Sequence, residues 1–178
     1  MIYTIGHGNR SLEEFVGLHG DAGIECLVDV RAYPASRRHP QFAREALERS
    51  LPAAGIRYVW EGTALGGRRK PAGGSLHVAL RNPGFRAYAD HMGMEEFRKG
   101  VERLIALGRS ARAAVMCAER LPWECHRFLI SDYLVAGEEK VAHLVEAGTV
   151  REHCLSPAVR RRGGRLFYDG ETQGELKL

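Results

Sequence analysis

Ala113-Ala114-Val115-Met116-Cys117-Ala118-Glu119-Arg120-Leu121-Pro122-Trp123-Glu124-Cys125-His126-Arg127 runs from a short apolar segment into a polar cluster. A helical pattern follows it, Cys125 to Ala136. A buried strand that feeds a reactive loop and then a helix is the arrangement by which α/β proteins build sites at the carboxyl edge of a parallel sheet. The same order recurs elsewhere in the chain. Met1–Ile5 reads as a strand, and Ser11 with Glu14 makes a capping box before the amphipathic run Leu12, Phe15, Val16, Leu18. Ile24–Val30 reads as a buried strand, Phe42–Leu51 as a helix and Ile56–Trp60 as a strand. Phe85–Met92 and Met94–Leu107 read as helices, and Lys140–Leu144 as a fifth strand. A small hairpin is expected around Leu166–Thr172.

Alternation of this kind predicts a mostly parallel sheet of about five strands, with helices on both faces and the site at the strands' carboxyl ends. The 178 residues are expected to form a single α/β domain, with 146–178 as a C-terminal extension packed on it. Residues 61–83 are rich in Gly and Arg and show no clear periodicity, which marks a functional or mobile loop.

Hydrophobic content of 44% with 27% charged residues suits a soluble globular chain, and no stretch approaches the roughly 20 apolar residues of a membrane span. The N-terminus lacks a signal-peptide pattern, so the expected location is cytoplasmic. The oligomeric state cannot be read from the sequence. The formal net charge is +4, and only Lys70, Lys99, Lys140 and Lys177 of the 26 basic residues are lysine. Arginine forks favour anionic partners, either a small molecule or nucleic acid. Cys26, Cys117, Cys125 and Cys154 are not spaced as a secreted disulfide framework. Cys26, inside a strand pattern, reads as buried filler.

Polar groups follow every predicted strand: His7, then Asp29 and Arg31, then Trp60 and Glu61, then Cys117 and Glu119, then His143 near the end of the fifth. Cys117 is a candidate nucleophile if a cation or helix N-terminus lowers its pKa; otherwise it is a small buried hydrophobe. Asp29 and Glu119 are candidate acid/base groups, or else partners of Arg31 and Arg127 in salt bridges. His7, flanked by Gly6 and Gly8, is a candidate acid, base or turn cap. Arg31, Arg127, Arg68 and His126 are candidates for binding an anion, with Arg37, Arg38 and Arg69 nearby in sequence. Tyr33, Tyr58 and Trp60 either stack on a ring or fill the core. No cofactor is expected. If a metal binds, Cys117, Cys125 and His126 are its ligands, with His7 or His143 to complete the set. Adjacent residues on a helix point about 100° apart, which argues against Cys125 and His126 sharing one ion.

Thr4-Ile5-Gly6-His7, Val28-Asp29-Val30-Arg31 with Pro34 and Ser36, Gly55-Ile56-Arg57-Tyr58, Leu65-Gly66-Gly67-Arg68, and Met116-Cys117-Ala118-Glu119 with Cys125-His126-Arg127 together resemble the DUF488 family over about residues 2 to 145. Gly8 departs from the Ser usual there. The resemblance implies a shared motif set and carries no reaction with it. The layout is also similar in topology to rhodaneses and cysteine phosphatases, whose anion loop has an Arg six residues after its Cys; here that residue is Trp123, and the loop lacks glycines. The reading that best unites these features is a hydrolase or transferase binding a phosphate-bearing nucleotide or nucleic-acid-related substrate. The alternatives are a non-catalytic nucleic-acid-binding module, gripping through Gly66–Lys70 and Arg160-Arg161-Arg162, and a Cys/His metal-binding protein.

Overall fold

The computed structural model describes residues 1–71 and 73–170. Its central sheet contains β1 (Ile2–Gly6), β2 (Cys26–Asp29), β3 (Arg57–Trp60), β4 (Ala113–Cys117), β5 (Val141–Glu146) and β6 (Thr149–Glu152) in the order β3-β2-β4-β1-β5-β6. The first five are mutually parallel, and β6 pairs antiparallel with β5. Among the described residues there are six α-helices: α1 (Leu12–Asp21), α2 (Arg44–Ser50), α3 (Gly62–Leu65), α4 (Pro83–Met92), α5 (Glu95–Ser110) and α6 (Arg127–Ala136). The doubly covered parallel sheet read from the sequence is therefore present.

β4 shows why its sequence is continuously apolar. Ala113, Val115 and Cys117 pack into one core with Val28, Phe97, Leu104, Leu129 and Leu134. Ala114 and Met116 point the other way, into a second core with Phe15, Leu27, Phe42 and Leu47. A strand covered on both faces has no solvent side to alternate with. Helix α1 begins as expected: the Glu14 amide donates to Ser11 Oγ at 3.1 Å, and the Ser11 amide to Glu14 Oε2 at 2.8 Å.

Three features depart from the sequence reading. The main sheet has six strands, not five, because β6 extends it. Its residues Thr149-Val150-Arg151-Glu152 lie at an exposed sheet edge and bear no apolar alternation, so the sequence offered no strand signal. The hairpin falls earlier than expected, as β7 (Val159–Arg162) and β8 (Arg165–Tyr168). Gly163 and Gly164 form its turn at φ 54° and 75°, which suits the twist of a two-residue hairpin. Residues 171 and 172 of the expected hairpin lie outside the described residues. The Gly- and Arg-rich stretch holds the short α3, and its later part is joined to β8 by Ala79 N–H donating to the Tyr168 carbonyl at 2.8 Å. Among the described residues, no helix is long and apolar enough to cross a membrane.

β2 and β4 lie side by side, yet the chain leaves β2 toward β3 on one side and leaves β4 toward β5 on the other. Connections that diverge in this way open a crevice at the carboxyl ends of the two strands.

Candidate functional site

That crevice is a cavity of about 350 Å³. Arg31 comes to it from the end of β2, Cys117 from the end of β4 and Glu119 from the loop after it, Cys125 and His126 from the turn before α6, Phe85 and Tyr88 from α4, and Tyr33 and Arg68 from loops. Its size is at the lower end of the roughly 300–1,000 Å³ found for small-ligand pockets.

Arg31 is 6% exposed and tightly held. Its Nε donates to Asp29 Oδ1 at 2.9 Å, its Nη2 to Asp29 Oδ2 at 2.5 Å, and its Nη1 lies 3.5 Å from His7 Nε2. Asp29 also accepts the Tyr58 hydroxyl at 2.7 Å and the Arg31 amide at 3.0 Å. Of the five guanidinium hydrogens, these contacts leave one on each terminal nitrogen. Burial is the main influence opposing the charge on Arg31, but Asp29 more than offsets it, so the pKa rises. Tyr58 is pushed up by burial and by Asp29.

His7 is stacked on Phe42 with ring centroids 4.4 Å apart. Its Nδ1 lies 2.9 Å from the Gly8 carbonyl and donates to it, which leaves Nε2 as the acceptor facing Arg31. Burial, aided by the Arg31 charge, lowers its pKa to about 4, so the ring is neutral near pH 7. Neither His7 nor Asp29 lines the cavity. Both groups, expected from the sequence as catalytic, contact Arg31 beside the cavity.

Arg127, expected from the sequence to bind an anion, also lies behind the cavity wall. It is 1% exposed and absent from the cavity wall. Its Nη2 donates to the Glu119 carbonyl at 2.6 Å and to the Arg120 carbonyl at 3.4 Å, and its Nη1 donates to Thr4 Oγ1 at 3.3 Å. It holds the loop that carries Glu119. Arg69 turns back onto the Gly66, Thr63 and Ala64 carbonyls. Arg37 and Arg38 do not line the cavity, whereas Arg68 stands exposed on its rim. Arg68 has φ 61°, a left-handed conformation that is uncommon for a residue with a side chain.

The floor is a compact group in which one ligand atom each of Cys117, Cys125 and His126 lies within 4.8 Å of the others. His126 Nδ1 is 3.5 Å from Cys125 Sγ and 3.8 Å from Cys117 Sγ. Its Nε2 lies 3.0 Å from the Val30 carbonyl and donates to it. Cys117 Sγ donates to Glu119 Oε2 at 3.0 Å. The objection that Cys125 and His126 diverge on a helix is removed, because α6 begins at Arg127 and Cys125 is extended, with φ −138° and ψ 150°. His7 and His143 are not members of this group. The adjoining Cys125 and burial hold the Cys117 thiol well above its ordinary pKa. Burial opposes ionisation of Cys125, but its closeness to Cys117 and the His126 and Arg127 charges bring it well below its ordinary value. Burial also works against charge on His126, and Cys125 outweighs it, so the imidazole pKa is raised.

Behind this floor runs a buried chain that the sequence reading missed. Asp132, in α6, accepts from His153 Nε2 at 3.0 Å, the Ser156 amide at 2.9 Å and the Tyr168 hydroxyl at 2.9 Å. His153 Nδ1 then accepts from His143 Nε2 at 2.9 Å, and His143 Nδ1 accepts from Thr4 Oγ1 at 2.7 Å. Each partner dictates the next tautomer, from Asp132 through both histidines and Thr4 to Arg127. His143 therefore sits within β5, away from the cavity. Asp132 among Leu129, Ile130 and Leu134 was the available signal, since a lone carboxylate on an apolar helix face needs buried donors.

The family model described as "Domain of unknown function DUF488" matches residues 11–134. The chain belongs to the DUF488 family. The match includes Asp29, Arg31, Arg68, Cys117, Glu119, Cys125, His126 and Arg127, while His7 lies outside it. Comparisons with curated proteins and with solved structures return no match.

Proposed function

We propose that this DUF488 chain is a hydrolase or transferase that binds a small phosphate-bearing substrate of the nucleotide or nucleic-acid-fragment class. The observation that carries the reading is the convergence of a pinned cation, Arg31, and the carboxylate of Glu119 on one cavity. Arg31 is oriented before any ligand arrives, so binding an anion does not incur the entropy of ordering a free side chain. Arg68 supplies a second guanidinium at the rim, and Tyr33 and Phe85 offer flat apolar faces to a base or sugar. Glu119 acts as the acid/base group, held in place through its carbonyl by Arg127. His7 and Asp29 are positioning residues for Arg31.

Calorimetric titration with inorganic phosphate and with nucleoside monophosphates tests this. Binding is expected in the wild type and is weakened at least about tenfold in Arg68→Ala, the loss of one charge-assisted bond. Absence of binding by every such ligand at millimolar concentration overturns the proposal. So does binding of long nucleic acid that Arg68→Ala leaves unchanged and salt abolishes, since that behaviour belongs to a surface grip by Arg160, Arg161 and Arg162.

A further inference from the structure

The geometry points to a zinc site formed by Cys117, Cys125 and His126, open to the cavity and served by Glu119. The inference deepens the proposed function by naming what activates the attacking group, and it rests on the same cavity. Zinc bonds of about 2.3 Å to sulfur and about 2.1 Å to nitrogen, at the tetrahedral angle, put sulfur and nitrogen about 3.6 Å apart. The two separations here, 3.5 Å and 3.8 Å to His126 Nδ1, bracket that value, and the two sulfurs lie within 4.8 Å of each other. Two thiolates and an imidazole form a donor set that suits zinc rather than magnesium or calcium.

The surroundings are also those of a metal site. The Val30 carbonyl holds the far nitrogen of His126 as a donor, so its Nδ1 lone pair faces the two sulfurs. The Arg127 amide donates to Cys125 Sγ at 3.4 Å, as amides do to bound thiolates. Three protein ligands that line a cavity leave the fourth tetrahedral position for water or substrate, the arrangement of catalytic rather than structural zinc.

Glu119 touches Cys117 but is not part of the three-residue set. Metal binding displaces the Cys117 proton, which frees the carboxylate oxygen that accepts it. In the reaction, Glu119 takes one proton from the metal-bound water. The resulting hydroxide attaches to the electrophilic centre of the anionic substrate. The bond to the leaving group breaks, and that group receives the proton from Glu119. One water is consumed, with no change in oxidation state, which favours hydrolysis over group transfer.

Reduced full-length protein, stripped with chelator and titrated with Co²⁺, reads the site without any assay of activity. One Co²⁺ per chain is expected, with intense visible bands of tetrahedral cobalt and a thiolate charge-transfer band in the near ultraviolet; Zn²⁺ then bleaches both. Cys117→Ser, Cys125→Ser and His126→Gln are each expected to weaken binding by about 100-fold or more, beyond the roughly 10–100-fold typical for loss of a second-shell partner. Glu119→Gln is expected to retain the spectrum. Because a ligand variant can fail to fold, the wild type supplies a second measure. With zinc bound, a thiol-reactive disulfide reagent is expected to modify the exposed Cys154 while Cys117 and Cys125 resist until chelator is added. Absence of tetrahedral cobalt bands, or identical reactivity with and without zinc, overturns the inference. Missing cobalt bands with phosphate binding intact defeat the metal site alone. Intact bands with no binding of phosphate ligands defeat the proposed substrate class alone.

Discussion

Replacing Asp29 by alanine leaves one of the most deeply buried cations in the molecule without its counter-charge. Asp29 is fully buried, and Arg31 is 6% exposed. The carboxylate receives the Arg31 Nε and Nη2 bonds, the Arg31 amide and the Tyr58 hydroxyl. Removing one partner of a buried pair costs about 3–5 kcal/mol, because the remaining charge is neither paired nor hydrated. A chain of this size loses about 2–4 °C in Tm per kcal/mol, so Asp29→Ala is expected to lower Tm by about 6–20 °C. The double variant Asp29→Leu/Arg31→Met removes both charges and is expected to recover most of that loss while abolishing phosphate binding. Urea unfolding of the wild type, the single variant and the double variant, with binding measured on each folded protein, completes the test. An Asp29→Ala variant within about 1 kcal/mol of wild type would refute the reasoning, as that is the cost of an exposed pair. A double variant no more stable than the single one would refute it too.

Gly6→Ala is expected to destabilise by about 1–3 kcal/mol as an overpacking change. Its Cβ would lie 1.8 Å from the Glu119 carbonyl oxygen and 2.8 Å from Arg127 Nη2, so thermal melting should fall and phosphate affinity with it; unchanged melting contradicts the close approach. His19 tests acid stability. It donates from Nδ1 to the Phe15 carbonyl at 2.7 Å, has no partner for Nε2 among the described residues, and is held by burial at a pKa of about 4 against an ordinary 6.5. Between those values the unfolded chain takes up a proton that the folded chain refuses, so stability present above pH 6.5 declines toward pH 4. From about pH 7 to pH 5 this one site contributes a loss of about 2 kcal/mol, and His19→Leu should remove it in urea melts at the two pH values; parallel losses in both proteins refute the assignment. Asp132→Ala orphans three buried donors at about 1–3 kcal/mol each and is expected to cost at least about 3 kcal/mol by chemical denaturation. Nitrogen-15 spectra of the wild type should show His143 and His153 each protonated at Nε2, with Nδ1 accepting; protonation of either at Nδ1 contradicts the chain.

Periodicity and punctuation in the sequence were enough to place β1 to β5, the Ser11 cap and the doubly covered sheet, because each is a local pattern of burial repeated over several residues. Parallel crossovers then required that residues after β2 and β4 meet at one edge, which brought Arg31, Cys117, Glu119, Cys125 and His126 into view as candidates. Strand β6 and helix α3 escaped because the first is an exposed polar edge and the second is one turn inside a glycine-rich stretch. The division of labour among the polar groups depended on distances between residues far apart in the chain. Asp29 and His7 face Arg31, and Arg127 faces backbone carbonyls, because each buried donor or acceptor takes the partner that packing puts within about 3 Å. The grouping of Cys117, Cys125 and His126 had the same origin. Sequence spacing and helical angles argued against a shared ion, whereas the start of α6 at Arg127 leaves Cys125 extended and turns its thiol toward His126 and Cys117. Side-chain type and burial pattern are written along the chain; which charge meets which is settled only when the strands are brought side by side.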